Sequence, residues 1–183
     1  VNFLSVCLIP FLSFIGISLT LPASVAYQVS SLPTELDGVK SVFTKYVSVY
    51  GLHVLASSNV SDAKVIHTAN VLAEYLDNNE DGIIDQYDVL QKLLGNSSSE
   101  IATMVLFASE SEQNSLVNDE SIFENTLSRA QNLFADEIFE NGSSGDDRDA
   151  TLEEVLHLVT DKGWDEALPD TWGERQGSAI AGA

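Results

Sequence analysis

The run IATMVLFA at residues 101–108 is almost wholly apolar, of strand length and bounded by polar segments, which predicts a buried strand. A second stretch, YVSVYGLHVLA at residues 46–56, is rich in β-branched and aromatic residues and predicts a strand bent at Gly51. Between them the pattern turns helical. Residues 59–62 offer helix-start chemistry, and Val65, Ile66, Ala69, Leu72, Ala73 and Leu76 then recur at helical spacing. A shorter helix follows, with Val89, Leu90, Leu93 and Leu94 apolar, and stops at Gly95-Asn96. Strands interleaved with helices point to a mixed single domain, α/β or α+β, with a small sheet and several helices, rather than a helical bundle.

Toward the C-terminus, Ile122, Phe123, Leu127, Ala130, Leu133, Phe134 and Ile138 predict one long amphipathic helix with an acidic outer face. NGSSGDDRD at residues 141–149 reads as an acidic loop. A last helix is expected near Thr151, with Leu152, Val155, Leu156 and Val159 facing the core, ending at Lys162-Gly163, where a cation and a glycine suit a C-terminus. Trp164 and Trp172 read as core anchors. The tail, residues 164–183, has no clear period and stops in a Gly/Ala segment, as in a chain that continues.

Composition narrows the function. Against 28 Asp plus Glu stand 8 Lys plus Arg, a formal net charge of −20. Nucleic-acid binding is excluded as a default, because a phosphate-backbone binder needs clustered cations. One cysteine, Cys7, builds neither a Cys-rich metal site nor an internal disulfide. With 44% hydrophobic residues the chain is not composed like a disordered acidic tail.

Residues 1–26 carry no charge, and residues 3–21 are almost wholly apolar. After Pro22, Ala23-Ser24-Val25-Ala26 places small residues at −1 and −3 of a cleavage site following Ala26. The expectation is a signal peptide over 1–26 and a mature acidic domain over 27–183, with an uncleaved signal anchor tethering the protein to a membrane as the alternative. The missing initiator Met and basic n-region fit a chain that begins further upstream. Asn59-Val60-Ser61, Asn96-Ser97-Ser98 and Asn141-Gly142-Ser143 are glycosylation sequons, in keeping with a secreted glycoprotein. Such a domain is expected to rely on its core and on bound cations.

The segment DNNEDGIIDQYD, residues 77–88, resembles an EF-hand calcium loop, inside a helix-loop-helix unit at about 63–94. Hard cations require six to eight oxygens, and the resemblance implies side-chain ligands from Asp77, Asn79 and Asp81, with Gly82 making the sharp turn. It further implies that Ile83 contributes its backbone carbonyl, that Ile84 points inward, and that Asp85 acts directly or through water. Leu72 and Leu76 before the loop, and Val89 and Leu93 after it, give both helices an apolar face. Asp88 stands where the motif usually has a bidentate Glu; its shorter reach weakens Ca²⁺ and lets Mg²⁺ compete. The motif is also solitary. The implied affinity is that of extracellular modules, on the order of 10⁻⁴ to 10⁻³ M, and because a secreted protein meets calcium constantly the ion is expected to be structural rather than a switch.

A second segment, Glu153-Glu154-Val155-Leu156-His157, resembles the zincin-type metalloprotease helix with its first His replaced by Glu. Glu153 and His157 share a helix face and could bind one Zn²⁺, with Glu154 as general base and a third ligand from His53 or His67. The competing reading makes Thr151 and Glu154 a capping box and Glu153 a first-turn acid favoured by the helix dipole. His67 falls on the polar side of its helix and is expected to be solvated, and His53 is expected to be a satisfied, partly buried strand residue. No nucleophile elbow, phosphate loop or dinucleotide fingerprint is present. The expectation is a secreted calcium-binding domain without catalytic residues. The alternatives are a divergent zincin-like hydrolase using the last helix, and a relic loop in a protein whose acidity reflects a saline habitat.

Overall fold

Alternating apolar residues on either side of Tyr50-Gly51 form two strands. β1 (Lys45–Val49) and β2 (Leu52–Ala56) pair antiparallel, with Val49 opposite Leu52. Tyr50 (φ 50°) and Gly51 (φ 91°) both lie in the left-handed region, the pattern of a type I′ hairpin turn. The single bent strand expected over residues 46–56 is therefore a hairpin; a two-residue turn whose twist matches the strands reverses the chain where Gly51 alone would only have bent it.

The computed structural model describes residues 26–119, 121–142 and 148–173. The expected signal segment up to residue 25, with Cys7, most of the acidic loop and the tail beyond residue 173 lie outside the described residues. Among the described residues, no helix is long and apolar enough to cross a membrane.

From β2 the chain runs through α1 (Asp62–Leu76) and α2 (Tyr87–Leu94) into β3 (Thr103–Phe107), which pairs parallel with β2. α3 (Glu110–Leu116) and α4 (Ser121–Thr126) then lead to β4 (Ala130–Phe134), parallel to β3. The four-stranded mixed sheet has the order β1-β2-β3-β4. Every residue of β2 and β3 is buried, as their continuous apolar runs require of strands covered on both faces. Strand alternation divides their side chains between two cores. Val54, Met104 and Leu106 join α1, α2 and the last helix on one face. Leu55, Val105 and Phe107 pack on the other face with Leu36, Val39 and Phe43, and the Phe43 and Phe107 rings lie 5.3 Å apart. This is a single mixed domain of the expected class.

The long helix expected over residues 122–138 is not formed. Helix ends at Thr126, and β4 and a short 3₁₀ turn (Ala135–Glu137) follow. The apolar residues that mimic one helical stripe serve opposite faces of the sheet: Leu127 belongs to the core with Phe107, and Leu133 and Ile138 to the core with α1.

The last helix, α5 (Ala150–Val159), also departs in detail. Its N-cap is Asp149, whose side chain accepts from the Thr151 amide, so the expected capping box of Thr151 and Glu154 is absent. Thr151, Val155, Leu158 and Val159 face the core, whereas Leu152 and Leu156 are 52% and 37% exposed. Gly163 does not stop the helix. The chain continues through a π-helical turn (Thr160–Trp164) into the short α6 (Asp165–Ala167). Gly163 instead admits α2: a Cβ there would stand 2.8 Å from Val89 Cγ1 and 3.1 Å from Leu93 Cγ. Trp164 packs on the core and stacks on Trp172 at 4.7 Å, while Trp172 stays 38% exposed and anchors less than expected.

Candidate metal centre

Ser61 caps α1 by accepting from the Lys64 amide, and the helix buries Val65, Thr68, Ala69, Val71, Leu72 and Leu76. It stops at Asp77, which delivers that residue to the start of the loop 77–88. On the far side, α2 buries Val89, Leu90 and Leu93 and puts Asp88 in its exposed first turn. The two helices thus hold the loop between apolar faces, with Leu72, Leu76, Val89 and Leu93 all in one core.

Inside the loop, the side chains fold back on the backbone. Asp77 Oδ1 accepts from the Asp81 amide (3.1 Å), and Oδ2 from the Gly82 amide (2.8 Å). Asn79 Oδ1 accepts from the Asp81 amide (3.1 Å), and Asp81 Oδ1 from the Ile83 amide (2.8 Å). Asp85 Oδ2 reaches across to accept from the Asn78 amide (2.9 Å), and the Asp85 amide donates to the Leu76 carbonyl (2.9 Å). Gly82 takes φ 82°, a conformation that glycine adopts at no steric cost. The Ile83 side chain is exposed, and Ile84 packs against the core. Asp77 is the loop's buried carboxylate, 4% exposed.

The electrostatics are one-sided. Asp77, Glu80, Asp81, Asp85 and Asp88 crowd twelve residues, and no Lys or Arg occurs between Lys64 and Lys92. None of the five forms an ion pair among the described residues. Asp77 also lies at the C-terminal end of α1, where the helix dipole disfavours an anion. Two phenols register this charge. Burial, then the hydrogen bond to Asp77 and its charge, push Tyr50 up to about 12. Burial, then the charge of Asp77, raise Tyr27 above the ordinary phenol value. Tyr50 donates to Asp77 Oδ2 at 3.1 Å from the β1–β2 turn. Neither tyrosine stands out in the sequence, because both reach the loop only through folding.

The donor set fits a hard cation in kind: carboxylates, one side-chain amide oxygen and a carbonyl, with neither thiol nor imidazole. Among the described residues, however, no three His, Cys, Asp or Glu side chains converge to metal-holding distance. Carboxylates without a counter-charge repel one another, and Asp77, Asp81 and Asp85 are held by loop amides instead.

The second candidate is more dispersed. Glu153 Oε1 and His157 Nε2 share a face of α5 at 3.7 Å, both well exposed. Glu154 accepts from Gln131 Nε2 of β4 at 2.6 Å. The two expected sources of a third ligand are engaged elsewhere. His53 is buried, its Nδ1 3.2 Å from the Tyr46 hydroxyl; burial lowers its pKa, against the opposing charge of Glu35. His67 is not simply solvated as its helix face suggested, since Nε2 lies 2.7 Å from Asp149 Oδ2. Burial opposes the charge of Asp149, but hydrogen bonds from Thr151, His67 and the Phe139 amide prevail and hold it below the usual carboxylate range. Of the sequons, Asn59 and Asn96 are exposed, and Asn59 Nδ2 donates to Glu112 Oε1 (2.7 Å); Ser143 lies outside the described residues.

No family model matches the chain, and comparison with curated proteins and with solved structures returns no match.

Proposed function

We propose that this protein is an exported, acidic calcium-binding domain in which residues 77–88 hold one structural Ca²⁺ between α1 and α2. Asp77, Asn79 and Asp81 present side-chain oxygens, Ile83 its backbone carbonyl, and Asp85 and Asp88 close the far side of the loop. The observation that carries the reading is the fold of the loop about Asp77. This buried carboxylate gathers the amides of Asp81 and Gly82, and the chain turns there through positive φ at Glu80 (56°) and at Gly82 (82°). A bound Ca²⁺ would neutralise the crowded carboxylates and fix the angle between the two helices. Asp88 in place of a longer Glu favours weak binding and lets Mg²⁺ compete. The uncharged N-terminal segment and the exposed sequon asparagines support export, where free calcium is abundant and an affinity on the order of 10⁻⁴ to 10⁻³ M suffices.

Thermal unfolding in EDTA and in millimolar Ca²⁺ tests this. With a Kd on the order of 10⁻⁴ to 10⁻³ M, about 1 mM Ca²⁺ stabilises the native state by about 0.4–1.4 kcal/mol, so the melting temperature should rise with Ca²⁺ and keep rising as its concentration is increased. Asp88→Ala is the cleaner variant, because Asp77→Ala also removes hydrogen bonds from the metal-free protein. It should leave the EDTA melting temperature nearly unchanged and suppress the calcium-dependent rise. A melting temperature indifferent to Ca²⁺ in the unsubstituted protein would sink the proposal.

A further inference from the structure

We propose that Tyr50 is a positioning residue for this cation site, holding Asp77 Oδ2 from the β1–β2 hairpin so that Oδ1 faces the ion. The inference rests on the calcium reading above and adds a residue from outside the loop. Four observations converge on it. Oδ2 accepts from both the Gly82 amide (2.8 Å) and the Tyr50 hydroxyl (3.1 Å), which occupies its two lone pairs. Oδ1 accepts only the Asp81 amide among the described residues and keeps a lone pair for a cation. Asp77 is buried at the C-terminal end of α1, where the dipole disfavours its charge, and Tyr50 is its side-chain donor there. Tyr50 also holds φ 50° in a turn position that Asn, Asp or Gly would occupy at less cost, so the local backbone does not explain the choice of tyrosine. Its hydroxyl ties the first ligand of the loop to the edge of the sheet, 27 residues away in sequence.

The test is calorimetric titration of the protein with Ca²⁺, comparing Tyr50→Phe, Tyr50→Asn and Tyr75→Phe. Tyr75 donates to the Leu152 carbonyl rather than to the loop, and serves as a control for loss of a phenol hydroxyl. Both Tyr50 variants should raise the Kd roughly tenfold, the low end of the effect of losing a partner that orients a metal ligand, and Tyr75→Phe should not. Tyr50→Phe keeps the ring that packs on the core and loses only the hydroxyl, so its melting temperature should fall further below that of the unsubstituted protein in Ca²⁺ than in EDTA, a split that a purely structural role would not produce. Calcium should also perturb the tyrosine absorption of the unsubstituted protein, and Tyr50→Phe should reduce that signal. Unchanged affinity in Tyr50→Phe and Tyr50→Asn overturns the inference while leaving the calcium reading standing, as does an equal loss in Tyr75→Phe. If the unsubstituted protein takes up no Ca²⁺, the calcium reading itself falls and the role of Tyr50 with it.

Discussion

Gly163 looks like a helix terminator beside Lys162, yet its role is steric. Val89 and Leu93 of α2 press against the π turn where any Cβ would intrude. Gly163→Ala should therefore destabilise the protein by about 1–3 kcal/mol, the range for overpacking a filled core, although alanine is the better helix former. Urea denaturation measures this, and an unchanged or raised midpoint would show that α2 can yield. The loop residues Asp77, Asn79, Asp81, Gly82 and Asp85 were legible because their hydrogen bonds close within a few positions of one another. Tyr50 was not, since its partner lies across the fold.

α5 and the segment before it show how a correct period can still mislead at the level of an element. Leu152, Val155, Leu156 and Val159 satisfy a helical template as well as Thr151, Val155, Leu158 and Val159 do, and packing against β4 and α1 selects the second set. Val155→Ala should cost about 2 kcal/mol through the cavity it leaves, whereas Leu152→Ala should fall within about 0.5 kcal/mol of no effect. Chemical denaturation of the pair checks the phase directly, and equal losses would restore the first set. Over residues 121–138, no Gly or Pro punctuates the sequence, so the change from α4 to β4 left no local mark stronger than Asn125, Thr126 and Ser128. There β4 forms by adding a parallel strand to β3, an outcome that depends on a partner distant in sequence.

For the whole molecule, acid should act in two steps. His53 has a lowered folded pKa, so stability is complete above its unfolded value of about 6.5 and declines as pH falls toward the folded one. Asp149 and Glu112 have depressed folded values. Their contribution is complete above an unfolded value of about 4 and is lost as pH falls through the folded values. At Glu112 burial opposes the charge, but hydrogen bonds from Ser57, the Ala108 amide and Asn59 outweigh it. Glu112→Gln should flatten the second step and leave the first, reducing stability at neutral pH by about 1–2 kcal/mol after allowance for solvent screening. Urea titrations between neutrality and about pH 3 would reveal it, and an unaltered acid limb would refute the assignment. By itself the sequence determined the mixed α/β class, the strand at β3, the helices α1 and α2, and the loop between them, because hydrophobic period, caps and turn chemistry act over a few residues. Only the tertiary structure decided the hairpin, the phase of α5, the strand β4 and the meeting of Tyr50 with Asp77. Those depend on which apolar face finds which partner, and the burial that rewards each choice exists only once the sheet has formed.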